Sequence, residues 1–229
     1  MKGISLCVLL PTRNEEQNIR YMIKEIRQKY DFDIIVSDDH SPDKTREIAK
    51  SLGVDVFLRK KHGYGEGLKE SLINARKRGH THMLVIDCDR TYSINGIRTL
   101  FNSAKKGYDL VNGGRRLGDI NFVNRFPNLF HTMLVNILYF TWIRDVNSGM
   151  KLFKIESYEK KIKGSGADST VETIIIALKN NYRIKEIMLP YNDRSKDDGR
   201  GKSKVKISDG FLITRKIFAE RFSKKGRSR

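Results

Sequence analysis

The chain has 229 residues, of which 38% are hydrophobic and 31% are charged. These proportions allow one sizeable buried core and exclude both a polytopic membrane protein and a disordered chain. Lys and Arg number 45 against 27 Asp and Glu, which leaves a formal net charge of +18. So basic a chain is expected to bind polyanions, whether nucleic acid, phosphorylated small molecules or an anionic membrane surface.

Neither the cysteines nor the apolar segments predict export or a membrane span. Cys7 and Cys88 both lie in apolar runs, which favours reduced, buried thiols over a disulfide framework. The longest apolar stretch is the segment 129–143, which is shorter than the roughly 20 residues needed to cross a bilayer. No secretory leader is recognisable before residue 4, so we expect a cytoplasmic protein.

The first half of the chain alternates between short apolar runs, typical of buried strands, and segments with helical apolar spacing. Strands are predicted at 4–10, 33–37, 54–58, 83–86 and 108–112, with helices at 15–29, 43–52, 66–78 and 94–106. This order predicts an α/β, doubly wound, mostly parallel sheet with helices on both faces.

After Gly114 the alternation stops. A long aromatic-rich helix or helix pair is predicted at 122–142, followed by a loop and strand within 145–153, a helix at 168–180, a strand at 183–189 and a basic amphipathic helix at 208–222. Residues 194–229 hold 13 Lys or Arg and four Asp or Glu, so 13 − 4 = 9 of the 18 excess positive charges lie there.

Acidic side chains follow two of the predicted strands. Asp38 and Asp39 come after the second strand, and Asp87 and Asp89 flank Cys88 after the fourth. The carboxyl ends of parallel strands share one edge of a sheet, where ligands bind. Mg²⁺ is usually held by one or two carboxylates together with phosphate oxygens, so Asp87 and Asp89 are candidate metal ligands. In an isolated Asp-x-Asp motif, the first carboxylate more often caps the next helix and the second is solvated. Whether this motif binds a metal therefore has to be judged from the motifs around it.

These surrounding motifs occur in a specific order. Residues 11–16 (PTRNEE), 36–45 (VSDDHSPDKT) and 87–89 (DCD) resemble the nucleotide-sugar-binding half of the GT-A fold glycosyltransferases of family two. Further motifs are similar to those of the branch that contains dolichyl-phosphate mannose synthases and polyprenyl-phosphate glucosyltransferases: GGRR at 113–116, DVNSGMK at 145–151, and YNDR at 191–194 followed by GKSK at 201–204.

The resemblance implies a single GT-A domain at 1–206, with a nucleotide-sugar-binding half at 1–114 and an acceptor half at 115–206, followed by a basic amphipathic helix and tail at 207–229. The nucleotide sugar would contact Pro11, Thr12, Asn14, Glu15, Asp38, Asp39, Asp87, Cys88 and Asp89. Mg²⁺ or Mn²⁺ on Asp87 and Asp89 would neutralise the leaving diphosphate. The acceptor phosphate would bind Arg115, Arg125, Ser148, Arg194 and Lys204. Catalytic roles are expected for Asp89, Arg115 and Glu172.

The nature of the acceptor stays open between two chemistries. An alcohol needs a positioned base, whereas a phosphomonoester, with a second pKa of about 6, arrives ionised. The many basic residues after Gly114 favour a phosphate. Glu172 and Asp145 could act as a base, so a glycan or glycolipid hydroxyl remains an alternative.

An apolar surface at 126–142 next to a basic C-terminal helix is typical of a protein that binds an anionic membrane interface, although the same residues could form core or a dimer interface. The sequence therefore predicts a metal-dependent inverting enzyme, peripheral on the cytoplasmic face of the membrane. It would move a hexose from a GDP-mannose or UDP-glucose type of donor to dolichyl or polyprenyl phosphate.

Two other classes are less favoured. The net charge of +18 would permit a nucleic-acid-binding protein, but no helix-turn-helix, zinc module or aromatic strand platform is recognisable. The acidic sheet edge would also repel a phosphate backbone, so no nucleic acid partner is expected. A sugar nucleotidyltransferase needs a glycine-rich N-terminal loop, which residues 10–13 (LPTR) do not provide.

Overall fold

The computed structural model describes residues 3–193 and 207–223, and within them one sheet carries the fold. The strands are β1 (Leu6–Thr12), β2 (Asp33–Asp38), β3 (Asp55–Leu58), β4 (His82–Val85), β5 (Leu110–Arg115), β6 (Lys151–Lys154) and β7 (Ile184–Leu189). The helices are α1 (Glu16–Lys29), α2 (Thr45–Ser51), α3 (Tyr64–Lys77), α4 (Gly96–Ala104), α5 (Phe122–Tyr139), α6 (Ile155–Tyr158), α7 (Asp168–Lys179) and α8 (Ile207–Phe222). Each predicted strand and helix is present, and the short α6 was not predicted.

The sheet order is β3-β2-β1-β4-β6-β5-β7. Parallel pairing joins β1 to β2 and to β4, β2 to β3, and β5 to β7. Only β6 runs antiparallel, between β4 and β5. The prediction of a mostly parallel sheet is confirmed, but the sequence contains no signal for the direction of β6.

The reversal of β6 has a simple geometric cause. β5 ends at Arg115 on the carboxyl edge of the sheet, and Lys151, the first residue of β6, pairs with Val85 and Asn112 at that same edge. The intervening chain, which includes α5, therefore leaves and re-enters the sheet on one side. A chain that re-enters on the side it left must run back antiparallel to its neighbours.

Apolar residues pack on both faces of the sheet. One cluster joins α1, α2 and α4 to the sheet; its α1 members, Ile19, Met22, Ile23 and Ile26, recur at helical spacing and are fully buried. The other cluster joins α3, α6, α7 and α8 to the opposite face. Burial of each such side chain stabilises the fold by about 1.5–3 kcal/mol, so the edge loops rest on a rigid support.

Three turns at the carboxyl edge contain residues in the left-handed backbone region. Asn14 (φ 54°), His40 (φ 53°) and Arg90 (φ 62°) lie in the turns that follow β1, β2 and β4. A non-glycine residue in this region costs about 1–2 kcal/mol, and such residues concentrate at functional sites. The backbone strain therefore coincides with the edge where the sequence places the ligand.

The predicted aromatic-rich helix, α5, and the predicted basic amphipathic helix, α8, lie side by side, and His131 of α5 contacts the Gly210 carbonyl oxygen of α8 at 3.1 Å. α8 buries Ile213 and Ile217, and its Lys179–Glu220 ion pair, 3.0 Å long, ties it to α7. α5 ends at Tyr139, because Phe140 adopts φ 53°, rather than continuing to the predicted end at Trp142. Across residues 3–193 and 207–223, no helix is both long and apolar enough to cross a bilayer.

Candidate active site

Asp87 and Asp89 directly follow β4, at the carboxyl edge of the sheet. Gly149 lies against the first of them: a Cβ built at Gly149 would be 1.7 Å from Asp87 Oδ2. Asp89 Oδ1 accepts hydrogen bonds from the Thr91 backbone N–H (3.1 Å) and hydroxyl (2.5 Å). Cys88 points inward and is buried, as predicted. Both residues therefore lie in the turn that follows β4, at this edge of the sheet.

The electrostatics of this pair suit a divalent cation. Burial, followed by the charge of Asp89, raises the pKa of Asp87 to about 7, with a further contribution from Glu15; Arg115 and Lys151 oppose this rise. Carboxylates that repel each other at low solvent exposure are relieved by a shared cation. No group of three or more acidic, His or Cys side chains within the described residues could form an all-protein cage. The donor set thus fits Mg²⁺ or Mn²⁺ completed by phosphate oxygens.

Asp38, one of the predicted nucleoside contacts, is committed to the turn after β2. Its side chain is fully buried, and Oδ2 accepts from the hydroxyls of Thr12 (3.1 Å) and Ser41 (2.5 Å). Oδ1 accepts from the Ser41 backbone N–H at 2.9 Å. These bonds hold the ends of β1 and β2 together, and they give Asp38 a role in shaping the pocket.

Asp39 organises the loop that leads into α3. It accepts from His62 Nδ1 (2.8 Å) and the Gly63 N–H (3.2 Å), and it pairs with Arg59 at 3.3 Å. Burial alone would raise the pKa of Asp39, but these donors and charges outweigh burial and lower it. The sequence did not single out Arg59, whose guanidinium also binds Ser37.

The turn after β1 brings its predicted residues to the same edge. Pro11 and Thr12 end β1, and Thr12 pairs with Asp38 in the ladder. The Asn14 N–H donates to Ser41 Oγ at 2.9 Å, and the Glu15 N–H donates to Thr45 Oγ1 at 2.8 Å. All predicted nucleotide contacts therefore lie along the carboxyl edge of β1, β2 and β4.

Arg115, at the end of β5, is held by Asp145. Nε donates to Asp145 Oδ2 (2.7 Å) and Nη2 donates to Oδ1 (2.9 Å), while the Arg115 backbone N–H also donates to Oδ2 (2.9 Å). Burial would raise the pKa of Asp145, but the charge and hydrogen bonds of Arg115 outweigh it and lower that pKa. Within the described residues Nη1 has no hydrogen-bond partner, so one guanidinium nitrogen is left for a ligand.

The loop 145–150 lies between Arg115, which Asp145 holds, and Asp87, which Gly149 contacts. Ser148 Oγ contacts the hydroxyl of Tyr92 (3.0 Å) and the carbonyl oxygens of Gly113 and Met150. The Tyr92 hydroxyl in turn accepts from the Gly149 N–H at 2.9 Å. Ser148 was predicted to contact the acceptor phosphate, but its hydroxyl is engaged by Tyr92, Gly113 and Met150 within the protein.

Lys151 is a further residue of this region that the sequence analysis did not identify. Its buried ammonium donates to the carbonyl oxygens of Val146 (3.3 Å), Ser148 (2.8 Å) and Thr170 (3.0 Å). Burial lowers the pKa of Lys151 to about 7, and Asp145 works against that change. The available signal was weak: Lys151 directly precedes the apolar pair Leu152 and Phe153, and a lysine is rarely buried unless partners hold it.

Glu172, a candidate base, is deeply buried in α7. Its carboxylate accepts from the N–H groups of Lys163 (3.1 Å) and Gly164 (2.7 Å) and from Lys216 Nζ (3.1 Å). Asp145, the other candidate, is occupied by Arg115. In this conformation both carboxylates are engaged by positive groups or N–H donors rather than being directed at a substrate.

Three of the five predicted acceptor-phosphate residues lie in the described part of the chain: Arg115, Arg125 and Ser148. Arg125, in the first turns of α5, donates from Nη2 to the carbonyl oxygens of Ile120 (3.0 Å) and Gly118 (3.4 Å). Asn128, one helical turn later, accepts from Arg115 Nη2 at 3.3 Å, which brings the start of α5 to the site. Arg194 and Lys204 lie outside the described residues.

α5 buries polar side chains up to Thr132 and apolar ones beyond it. Asn128, His131 and Thr132 are buried, and Val135 is buried in the apolar cluster that includes Ile213 of α8. His131 binds Asn147 of the 145–150 loop (3.0 Å) and the Gly210 carbonyl oxygen of α8 (3.1 Å). The large exposed side chains of α5 and the following turn are apolar: Phe122, Phe126, Leu129, Phe130, Met133, Ile137, Phe140 and Trp142. In α8, Phe211, Leu212, Phe218 and Phe222 are also exposed.

The chain is similar in sequence to known glycosyltransferases. The chain is 26% identical over 194 residues to the dolichyl-phosphate hexose transferase of Haloferax volcanii, an alignment that covers 83% of this chain and 84% of that protein. It is also 26% identical over 219 residues to the glycosyltransferase AglJ of the same organism, covering 93% of this chain and 71% of that one.

A solved structure shares the fold. The glucosyl-3-phosphoglycerate synthase of Mycobacterium tuberculosis, crystallised with Mn²⁺, uridine diphosphate and glucosyl-3-phosphoglycerate, superposes with a TM-score of 0.76 at 19% identity, covering 95% of this chain and 80% of that one. This likeness confirms the predicted GT-A fold. The model of the family described as glycosyl transferase family 2 matches residues 7–222. Since that match spans nearly the whole chain, the protein belongs to glycosyl transferase family 2 and is a hexosyltransferase.

Proposed function

We propose that this enzyme transfers a hexose from a nucleoside diphosphate sugar to a polyprenyl or dolichyl phosphate at an anionic membrane surface, with inversion at the anomeric carbon. The observation that carries the proposal is the difference between the two faces of α5. The buried Asn128 of α5 accepts a hydrogen bond from Arg115 at 3.3 Å, while the outward face of the helix exposes large apolar side chains. An acceptor with an anionic head and a long apolar chain matches both faces of this one helix.

The donor side follows from the carboxyl edge. Asp87 and Asp89 would hold Mg²⁺ or Mn²⁺, and the bound cation would neutralise charge on the leaving diphosphate. Pro11, Thr12, Asn14 and Glu15, with the pocket shaped by Asp38 and Asp39, would receive the nucleoside. The Mycobacterium tuberculosis synthase, crystallised with Mn²⁺ and uridine diphosphate, supports this use of the fold.

The acceptor side favours a phosphate over a hydroxyl. A phosphomonoester is already ionised near neutral pH and needs cations that place it. Arg115, with its unengaged Nη1, and Arg125 can do this, and Arg194 and Lys204 of the sequence would add to them. A phosphate oxygen then displaces the nucleoside diphosphate from the opposite face of the anomeric carbon, which inverts it, and the leaving oxygen takes the bonding electrons.

The two candidate bases also favour a phosphate. A hydroxyl acceptor requires a carboxylate that can take its proton. Asp145 is bound on both oxygens by Arg115, and Glu172 is bound by Lys216 and two backbone N–H groups. The Haloferax volcanii dolichyl-phosphate hexose transferase, at 26% identity, supports the same choice.

Membrane contact follows from the exposed face of α5 and α8. An extended apolar surface on a protein is a mark of an interaction site. The surface adjoins Arg221 of α8, which lies over the ring of Tyr139, and the sequence after it ends in the basic residues Lys224, Lys225, Arg227 and Arg229. Apolar side chains beside positive charge match an anionic lipid interface.

A transfer assay tests the proposal. Labelled GDP-mannose and UDP-glucose would each be offered with dolichyl or undecaprenyl phosphate and with Mg²⁺ or Mn²⁺. Label should move to the organic phase, and this transfer should be lost with chelator and in Asp89→Ala. Asp55→Ala is the matched control, because Asp55 starts β3 at the opposite edge of the sheet and its one ion pair within residues 3–193 and 207–223 is with the exposed Arg78.

Two results would contradict the proposal in different ways. If the donor is consumed but label appears only on a glycan or glycolipid hydroxyl, the acceptor assignment is wrong and the hydroxyl alternative holds. If neither donor binds under any metal condition, the nucleotide-sugar assignment itself fails.

A further inference from the structure

Tyr191 lies at the carboxyl edge of the sheet, next to Arg115. In the parallel pairing of β5 with β7, Leu189 is opposite Arg115, and Tyr191 follows Leu189 by two residues. The guanidinium carbon of Arg115, Cζ, lies over the ring of Tyr191, 5.3 Å from its centroid. A guanidinium within about 6 Å of a ring centroid is attracted to the ring electrostatically. The ring is therefore in direct contact with an arginine proposed to receive the acceptor phosphate.

Tyr191 is held in this position by the turn that follows β4. Its backbone forms an isolated antiparallel bridge with Tyr92, and the N–H of Asn192 donates to the Thr91 carbonyl oxygen at 2.8 Å. The rings of Tyr191 and Tyr92 meet edge to face, with their centroids 5.0 Å apart. Thr91 in turn donates to Asp89 from both its N–H and its hydroxyl. The position of the Tyr191 ring is therefore tied to the turn that contains the candidate metal ligand Asp89.

The same segment also holds the start of α5. Asp193 Oδ2 accepts from the Asn121 N–H at 2.9 Å, and Oδ1 accepts from the Asn121 side-chain amide at 3.2 Å. Residues 191–193 therefore contact Arg115, the turn after β4 and the helix whose exposed face is apolar. The proposed sites for the phosphate, the metal and the lipid chain all adjoin this short segment.

The other bonds of Arg115 leave a role for the ring. Nε and Nη2 donate to Asp145, and Nη2 also donates to Asn128. These bonds hold one side of the guanidinium, whereas the Tyr191 ring contacts the group at its central carbon. The ring therefore limits rotation of the guanidinium about its bonds to Asp145, which the carboxylate alone would not do.

We infer that Tyr191 is a positioning residue for the acceptor: its ring fixes the guanidinium of Arg115 so that the unengaged Nη1 meets the acceptor phosphate. This inference rests on the proposed polyprenyl or dolichyl phosphate as acceptor. The ring rather than the hydroxyl carries the effect, because a cation is attracted to the face of either Tyr or Phe.

Tyr191→Leu and Tyr191→Phe test the inference, because the first removes the ring and the second removes only the hydroxyl. Citronellyl phosphate, a short soluble isoprenoid phosphate, would be titrated calorimetrically into protein that holds UDP or GDP and Mn²⁺. Its Kd should rise about 5- to 30-fold in Tyr191→Leu and less than about twofold in Tyr191→Phe. The Kd of UDP or GDP should stay within about twofold of wild type in both variants. In the transfer assay, the KM for undecaprenyl phosphate should rise with the Kd of citronellyl phosphate, and the KM for the donor should not.

Tyr108→Leu is the matched control. Arg183 Cζ lies 4.9 Å from the centroid of the Tyr108 ring, the same kind of contact, but Tyr108 precedes β5 at the opposite edge of the sheet. Loss of this ring should lower the thermal stability without changing the Kd of citronellyl phosphate. If Tyr191→Leu does not fold, Tyr191→Met replaces it, because a flexible methionine can fill the same space without a ring.

Three results would overturn the inference while the proposed function stands. The first is an unchanged Kd for citronellyl phosphate in Tyr191→Leu. The second is an equal loss in Tyr191→Phe, which would assign the effect to the hydroxyl. The third is an equal weakening of UDP or GDP binding, which would place the effect on the donor side. If wild type binds a nucleoside diphosphate but neither binds citronellyl phosphate nor transfers sugar to any lipid phosphate, the acceptor assignment of the proposed function has failed first.

Discussion

Gly149 lies directly against the carboxylate of Asp87: a Cβ at this position would be 1.7 Å from Oδ2 and 2.4 Å from Cγ. The loop between α5 and β6 therefore packs against the Asp87 side chain, and a side chain at Gly149 must displace either the loop or the carboxylate. A segment more than 60 residues further along the chain thereby restricts the position of Asp87.

Gly149→Ala should abolish metal-dependent transfer, because Asp87 can no longer occupy its position. Affinity for Mn²⁺ should fall together with activity, which titration of Mn²⁺ by electron paramagnetic resonance would measure. Gly166→Ala is the matched control: its Cβ would lie 3.6 Å from Asp168 Oδ1, an ordinary contact. Normal Mn²⁺ affinity in Gly149→Ala would contradict the assignment of Asp87 as a ligand.

Metal affinity should depend on pH through Asp87, whose pKa burial and Asp89 raise to about 7. Below that pH a proton occupies the metal-free carboxyl and the cation must displace it, so Mn²⁺ affinity should rise towards neutral pH and then level off. Asp87→Asn should remove this dependence. An affinity that stays constant between pH 5 and about 8 would be inconsistent with a raised pKa.

The stability of the metal-free protein should show the opposite trend. The pKa of Asp87 in the folded state lies above its ordinary value of 3.8, so between these two values the folded state binds more protons than the unfolded state. The contribution of Asp87 to stability therefore falls as pH rises through that range. Thermal unfolding in chelator should show Asp87→Asn more stable than wild type at pH about 8, with a smaller difference at pH about 5.

Trp142 offers a direct probe of membrane binding, because it is the single tryptophan of the chain and is 85% exposed beside the apolar face of α5. Vesicles that contain anionic lipid should shift its fluorescence to the blue, and zwitterionic vesicles should do so less. Phe126→Ser should weaken vesicle binding, whereas Ile73→Ser, an exposed apolar position on α3, should not. Unchanged Trp142 emission with saturating anionic vesicles would count against this surface as the membrane contact.

Glu172→Gln separates a structural role from a catalytic one. Loss of the charged bond to Lys216 should lower the free energy of unfolding by about 1–3 kcal/mol. Lys216→Met should lower it similarly, and the double variant should cost less than the sum of the two. With a lipid phosphate acceptor, turnover per folded molecule should change little. A drop in kcat of about a thousandfold or more would instead identify Glu172 as a base and favour a hydroxyl acceptor.

Part of the site could be predicted because its residues follow strands. Asp87 and Asp89 come after β4, and Asp38 and Asp39 come at the end of β2. Once the alternation of strands and helices is recognised, parallel pairing alone brings these carboxylates to one edge. Local sequence was sufficient for this step because each residue is placed by the strand beside it.

Other relationships could not be predicted because they join distant segments. Arg115 and Asp145 are 30 residues apart, and no local pattern says that the guanidinium is held by that carboxylate rather than facing a phosphate directly. The occupation of Glu172 by Lys216, across 44 residues, is of the same kind. Side-chain pairing of this sort depends on how distant strands, loops and helices pack together, which residue spacing does not encode.

The sequence by itself determined the alternating α/β architecture, the acidic edge and the family, because these depend on local periodicity and on residues that directly follow strands. Tertiary structure alone decided the direction of β6, the partners of the buried charges and the outward orientation of the apolar face of α5. Apolar periodicity shows that a helix has an apolar face. In the folded chain Asn128 and His131 bond to Arg115 and Asn147, and Val135 packs into the core, so the large apolar side chains on the other side of α5 are exposed.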